Sequence, residues 1–302
     1  MVAIGSPAQW QADRLDVQAY LDRLGVTGRL EPDAETLRRL HRAHALTIPF
    51  ENLDILLGRG IDLDVDVMQD KLLRRRRGGY CYEHNMLFAL LLERLGYEVT
   101  RLYARPVLDA PKPLPRTHLM LHVAVGDETW LADVGFGDEG PLEPVPVADG
   151  TVVDQGGWVY KLDRVAGTDK EWVLSLRRED GWFPLYWYAT EGHHHIDCVV
   201  ANYFISTHSS SPFTGRVFLE RIAEDWRLNL NHRKLTLTRA DGTVEVRYVV
   251  DEEVRELLDE QFEIELTEDE AKVVVAALPA RVWASMASSS WPTSARAMPR
   301  LP

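Results

Sequence analysis

Two hydrophobic periods divide the chain. In the first third, apolar positions recur at helical spacing. Leu15, Tyr20, Leu21 and Leu24 form one stripe; Leu37, Leu40, His41 and His44 form a second, which Asp33 opens as an N-cap. Pro49 disfavours continuation of that second helix. A short helix is predicted over 67–73. Phe88, Leu91, Leu92 and Leu95 fall at i, i+3, i+4 and i+7, which makes 81–95 the clearest helix, with Gly96 as its stop. From Glu98 the period drops to two. Segments 98–107, 117–125 and 129–134 read as strands, and further short strands continue to Tyr188. This middle third is predicted to be a small antiparallel barrel or sandwich. Beyond Ile222 the pattern is mixed. Strands 234–239 and 244–250 flank Asp241-Gly242, a hairpin turn, and helices follow over 251–262 and from Thr267, where Glu270 completes a capping box. The Ser-rich tail after Met286 is expected to be disordered.

Composition narrows the class. The chain has 302 residues, 45% hydrophobic and 27% charged, as expected of a globular protein with a sizeable core. Its 34 basic and 47 acidic residues leave a net charge of −13, which argues against binding nucleic acid or an anionic membrane. No run of 18 apolar residues occurs, and residues 1–13 lack a signal-length apolar stretch. Two cysteines, Cys81 and Cys198, exclude a disulfide scaffold and fit a cytoplasmic location.

Cys81 stands at the start of the clearest helix, after Arg74 to Arg77 and Gly78-Gly79. Free N–H groups and the positive end of the helix favour a thiolate there, and the same groups suit an oxyanion. Cys81, Asn85, Phe88 and Leu92 share one face, which turns the sulfur inward. Cys198 lies in an apolar run and reads as core. A thiolate needs a base, and the base an orienting partner. The alternating segment 117–125 puts His118, Met120 and His122 on one face. Gly126-Asp127 fits a two-residue turn that pairs Val125 with Glu128. In that register Asp133 opposes Met120, and His118 and His122 are its diagonal neighbours. Both histidines remain candidates; His118 is favoured because it lies toward the open strand ends. His193-His194-His195 near Asp197 and Cys198 invites a metal reading. Adjacent histidines on a strand point to opposite faces, so no metal site is expected.

These residues resemble the arylamine N-acetyltransferase family. The likeness rests on Arg77-Gly78-Gly79-Tyr80-Cys81-Tyr82-Glu83 with Asn85, on Thr117-His118, and on Asp133-Val134-Gly135-Phe136-Gly137. Ile48-Pro49-Phe50-Glu51-Asn52-Leu53 extends it upstream, and Asp197, Asn202, Ser206-Thr207-His208 and Ser211-Pro212-Phe213 extend it downstream. The resemblance implies a catalytic triad of Cys81, His118 and Asp133, and its spacing selects His118 over His122. It implies an α+β multidomain fold: a helical domain over 1–96, a β-barrel over 97–210 carrying the His and Asp, an interdomain helix and α/β lid over 211–286, and a tail over 287–302. The cysteine arrangement also resembles papain-like and transglutaminase-like enzymes. The implied chemistry is ping-pong acetyl transfer from acetyl-coenzyme A, a substrate and not a resident cofactor, to an arylamine, hydrazine or arylhydroxylamine. Phe136, with Gly135, Gly137 and Thr117, would line the substrate site. Arg77, Glu83, Glu51 and Asn85 would brace the triad.

The chain departs from the family pattern at Ser209, where a proline is usual, and at Asp138-Glu139, where a further glycine is common. Acids there would repel coenzyme A phosphates. They keep open a related amide synthase, which releases a polyketide from an acyl carrier protein as a macrolactam. A cysteine hydrolase is the remoter alternative. Coenzyme A is itself a polyanion, so a local basic patch is required against the overall charge; Arg74 to Arg77 is the obvious cluster, but the sequence does not locate the patch.

Overall fold

The computed structural model describes residues 9–107, 112–137 and 139–279. The expected disordered tail lies outside them, as does Asp138. The helical part comprises α1 (Val17–Leu24), α2 (Ala34–Thr47), a two-residue strand β1 (Phe50–Glu51), α3 (Leu53–Leu56), α4 (Val65–Gln69) and α5 (Cys81–Arg94). The Asp33 carboxylate caps α2 by accepting the Thr36 N–H at 2.8 Å. The predicted 67–73 helix begins at Val65 and changes at Asp70–Arg74 into a π-helical turn. Residues 81 to 92 of α5 are all buried, so α5 is enclosed on every side and not amphipathic as its spacing implied. It packs on the strands that follow and on the N-terminal helices.

Strands β2 (Glu98–Pro106), β3 (His118–Val125), β4 (Glu128–Ala132), β5 (Val145–Pro146), β6 (Thr151–Asp154), β7 (Val159–Arg164), β8 (Glu171–Arg178) and β9 (Gly181–Ala189) form one antiparallel sheet in the order β5-β4-β3-β2-β9-β8-β7-β6. Its edges β5 and β6 lie next to each other, so the sheet is a nearly closed barrel. A core of Leu102, Met120, Leu131, Tyr160, Leu174 and Tyr186, with their neighbours, fills it. The β3–β4 register pairs Val125 with Glu128 and Leu121 with Ala132, as the two-residue turn requires. Gly126 alone of the two turn residues has positive φ, at 60°.

The chain then forms α6 (His195–Thr207), β10 (Phe218–Ile222), β11 (Trp226–Asn231), β12 (Lys234–Arg239), β13 (Val244–Tyr248), α7 (Val254–Phe262) and α8 (Glu268–Ala277). The helix placed after residue 211 by the sequence reading is α6, which ends before it. The three histidines are not on a strand. His194 caps α6, His195 begins it, and His193 stacks on Tyr103 at 4.1 Å. Among the described residues no group of three His, Cys, Asp or Glu side chains gathers to hold a metal.

The second sheet runs β1-β10-β11-β12-β13, so the helical part contributes its own strand to the C-terminal sheet. An isolated parallel bridge joins Phe50 to Gly79, two residues before Cys81. Arg227 on β11 ties this sheet to the barrel. Its guanidinium lies 3.8 Å over Trp158 and donates to the Gly140 carbonyl at 3.0 Å and the Tyr160 hydroxyl at 2.7 Å. Among the described residues no helix is long and apolar enough to cross a membrane. Arg227→Ala should lower stability by about 2–4 kcal/mol, because it strands buried polar partners and empties a stacked site. Urea unfolding checks this; a loss below about 0.5 kcal/mol would mean that the sheets are held together elsewhere.

Candidate active site

Cys81 begins α5, and its placement depends on what can approach it. A side chain at Gly78 would collide with the Pro49 carbonyl, and one at Gly79 would meet Glu83 at 2.9 Å. Neither glycine has positive φ, so closeness, not a left-handed backbone, requires them. The Glu83 carboxylate accepts the Tyr80 N–H at 3.1 Å, tying off one free donor at the helix start. The Tyr80 hydroxyl donates to the Asn202 side chain, which itself donates to the Ile61 carbonyl at 2.9 Å.

Opposite the sulfur, His118 Nε2 donates to Asp133 Oδ2 at 2.6 Å. The Cys81 sulfur lies 3.9 Å from the carbonyl of the neighbouring Thr117, and His118 Nδ1 is the ring nitrogen that Asp133 leaves free. Both His118 and Asp133 are buried. Burial disfavours a charged His118, but the Asp133 carboxylate and then the Cys81 sulfur outweigh it and push the imidazole up to about 10. Burial pushes Asp133 up; His118, Asn85 and the Gly135 N–H outweigh it and hold the carboxyl below its ordinary range. His122 has a different surrounding. Its Nε2 lies 3.0 Å from the Tyr188 hydroxyl, and burial lowers it to about 4. The alternative base is therefore a neutral histidine inside the barrel.

Asp133 lies one residue past β4 and needs holding. Asn85 donates to Asp133 Oδ1 at 2.8 Å and to the Leu119 carbonyl at 2.7 Å, and accepts the Val134 N–H at 3.0 Å. Gly135 N–H donates to Asp133 Oδ1 at 3.1 Å. A side chain at Gly135 would meet Asn85 at 2.9 Å and the Cys81 α-carbon at 3.0 Å, so only glycine fits. The Asp133 N–H donates to His41 Nε2 at 3.0 Å, and His41 Nδ1 faces the Leu142 carbonyl at 3.0 Å. This fixes His41 as a neutral tautomer, and burial lowers it to about 4.

Beneath the cysteine lies a buried charge cluster. Arg77 reaches Glu51 at 2.7 Å, and Lys71 reaches Glu83 at 2.8 Å and Asp54 at 3.0 Å. Burial opposes the Lys71 charge, but the three carboxylates hold its value raised. Lys71 and Asp54 escaped the sequence reading, which had no reason to separate them from surface charge. A second missed feature is a relay. Tyr20 OH meets His44 Nδ1 at 2.6 Å, His44 Nε2 meets His84 Nδ1 at 2.7 Å, and His84 Nε2 meets the Gly79 carbonyl at 3.0 Å. The helical stripe containing His41 and His44 was its only signal. None of Arg74 to Arg77 lines the cavity: Arg77 is buried on Glu51, Arg75 pairs with Asp70, and Arg74 lies 3.8 Å from Asp16.

Cys81, His118, Thr117, Gly135 and Phe136 line one cavity of about 690 Å³ between the helical part, the barrel and the second sheet. Phe136 meets His118 edge-on at 5.1 Å. Gly137 lies behind, with positive φ, where a side chain would collide with Glu220. Glu139 lines the cavity but is paired with Arg178. Cys198 is fully buried, and burial pushes it up to about 11.

A helix-start cysteine beside a buried His–Asp pair at the wall of a large cavity is the equipment of an acyltransferase. A profile of the N-acetyltransferase family matches residues 33–271. Arylamine N-acetyltransferase of Mycobacterium bovis is 40% identical over 84% of this chain and 91% of its own length. The Salmonella typhimurium arylamine N-acetyltransferase / N-hydroxyarylamine O-acetyltransferase is 35% identical over 82% and 88%. The Nocardia farcinica arylamine N-acetyltransferase structure superposes with a TM-score of 0.85 at 40% identity, covering 89% of this chain and 97% of that one. The Mycobacterium marinum enzyme in complex with CoA gives 0.80 at 36%, covering 87% and 98%. The chain belongs to the arylamine N-acetyltransferase family.

Two pH predictions follow from the buried imidazoles. By NMR, the His118 ring should titrate near pH 10 and not near its ordinary 6.5, while His122 should stay neutral down to about 4. Stability has the matching signs. The raised His118 value stabilises fully below 6.5 and is lost as pH rises through 10. The lowered values of His41, His84 and His122 cost stability as pH falls from 6.5 toward 4. Urea midpoints should therefore peak near pH 6.5 and fall on both sides; a monotonic profile would contradict these assignments.

Proposed function

We propose that the protein transfers an acetyl group from acetyl-coenzyme A to an arylamine, hydrazine or arylhydroxylamine by a ping-pong route through acetyl-Cys81. The observation that carries this reading is that Cys81 and His118 stand together at the wall of the cavity, with the buried Asp133 hydrogen-bonded to His118 behind them. The Cys81 thiolate attacks the thioester carbonyl, and the first-turn N–H groups of α5 receive the oxyanion. The bond from carbonyl carbon to coenzyme A sulfur breaks, and the His118 imidazolium gives its proton to the departing thiolate. The acceptor nitrogen then attacks acetyl-Cys81, His118 takes its proton, and Cys81 leaves as thiolate. Asp133 fixes the His118 tautomer and offsets its charge. Phe136 packs an aromatic acceptor against the reacting centre. Arg77, Glu51, Glu83 and Asn85 act as positioning residues through the backbone and Asp133. A free thiol suits a reducing cytoplasm, which we take as the location.

The amide-synthase reading drew on the acids after Gly137, and the pairing of Glu139 with Arg178 removes part of that ground. Acetyl-coenzyme A should add one acetyl group by intact mass, located on Cys81 by peptide mapping, and Cys81→Ala should abolish it. His118→Ala should lower turnover by at least ~100-fold, while His122→Ala retains most of it. Wild type that is never acetylated, yet turns over a carrier-bound acyl thioester, would favour the amide synthase. Iodoacetamide should alkylate Cys81, which lines the cavity, in the native protein and leave Cys198, which no part of the cavity reaches, untouched until urea is added.

A further inference from the structure

The cavity lining is of two kinds. Phe50, Phe136, Phe204, Phe213 and Phe218 give it aromatic rings. Arg216, Glu220, Asn229 and Asn231, on and beside β10 and β11, set polar groups among them. Its carboxylates are engaged. Glu139 pairs with Arg178, and Glu220 accepts from Asn229 at 2.8 Å.

Arg216 is held differently. Its Nε donates to Asn231 Oδ1 at 2.8 Å, and its guanidinium carbon lies 4.6 Å over the Phe218 ring. Those two contacts fix the plane of the fork. The terminal nitrogens are not engaged by either contact, and among the described residues Arg216 closes no ion pair. Glu220 attracts the guanidinium through space, yet burial still leaves the charge less favoured than in water. A rigid, half-buried cation without a carboxylate partner is set to take an oxyanion in two parallel hydrogen bonds. The sequence offered no signal for this, because Arg216 stands outside every motif that drew attention to the site.

We infer that Arg216 is an anion anchor of the substrate cavity, binding a carboxylate or phosphate of a ligand whose reacting end lies at Cys81. The inference rests on the acetyltransferase reading for what that ligand is. Two sources share the chemistry: an acid group on the aromatic acceptor, and the phosphates of the coenzyme A donor. Aromatic rings beside a fixed cation match a flat ring bearing a carboxylate, such as an aminobenzoate.

The test compares the full-length protein with Arg216→Ala, Arg216→Gln and Arg216→Lys. One arm measures kcat/KM for 4-aminobenzoate relative to aniline. The other measures acetyl-coenzyme A relative to S-acetyl-N-acetylcysteamine, a thioester without phosphates. One of these ratios should fall roughly tenfold or more in the Ala and Gln variants, and Lys should recover part of it. A fall in the first assigns the anchor to the acceptor, and a fall in the second to the donor. If both ratios stay within twofold of wild type in a variant that melts normally, the anchor is refuted. Should the wild type turn over none of these compounds, the acetyltransferase reading fails by itself. Calorimetric titration of 4-aminobenzoate and of coenzyme A into wild type and Arg216→Gln then decides the anchor: a loss of affinity of roughly tenfold for either supports it, and equal affinities overturn it.

Discussion

One side-chain amide sets the geometry of the site. Asn85, one turn beyond Cys81, bonds to the Leu119 carbonyl on β3, to the Asp133 carboxylate and to the Val134 N–H. Each of these bonds leaves α5 for the barrel. The nucleophile therefore has a fixed distance to its base, because the residue that follows it on the same helix face holds the strand of the base and the carboxylate of the triad. Fully satisfied polar groups in a dry interior specify one arrangement, whereas a half-satisfied set is costly. Asn85 replaced by Leu would fill the same space and leave three polar partners without their bonds.

Layers of support surround that amide, and their protonation states are complementary. His118 is held charged by a carboxylate and a sulfur, while His41, His44, His84 and His122 are all held neutral by burial. A neutral histidine has one donor and one acceptor, so each can orient a backbone group in only one sense. His41 uses its acceptor on Asp133 and its donor on Leu142; His84 uses its donor on Gly79. The cluster of Lys71, Arg77, Glu51, Asp54 and Glu83 does the same work with ion pairs. Removing one partner from such a set typically costs about 3–5 kcal/mol, since it strands the others in the interior.

The parts legible in the sequence were those where local pattern and global packing agree. A period-two segment, a Gly-Asp turn and an aspartate at the right offset were enough to place Asp133 near both His118 and His122, and the β3–β4 register follows that arithmetic; the choice of His118 came from the family resemblance. Helix α6 was hidden because its pattern is inverted. Ile196, Val199, Val200 and Tyr203 follow helical spacing but face outward, while Asn202 and Ser206 are buried. Strand β1 was hidden because two residues carry no period. The relay and the charge cluster were hidden because burial, which gives a histidine or lysine its meaning, is a property of the finished fold. The basic run before Cys81 is the converse case: Arg74, Arg75 and Arg77 face neighbouring acids and none of the run lines the cavity, while Arg216, which does, stands alone in the sequence.

Strand β1 has a consequence in time as well as in space. It joins β10 across ~170 residues of chain, a long loop to close before its contacts contribute anything. The same strand bridges Gly79 and carries Glu51, the partner of Arg77. The strand beside Cys81 thus lacks its sheet neighbour until Phe218–Ile222 has been synthesised and folded back. During translation the thiol at position 81 exists for a long interval without its full setting. The cavity over that sulfur, lined in part by Phe218, Glu220, Asn229 and Asn231, takes shape only once β10 and β11 have joined β1.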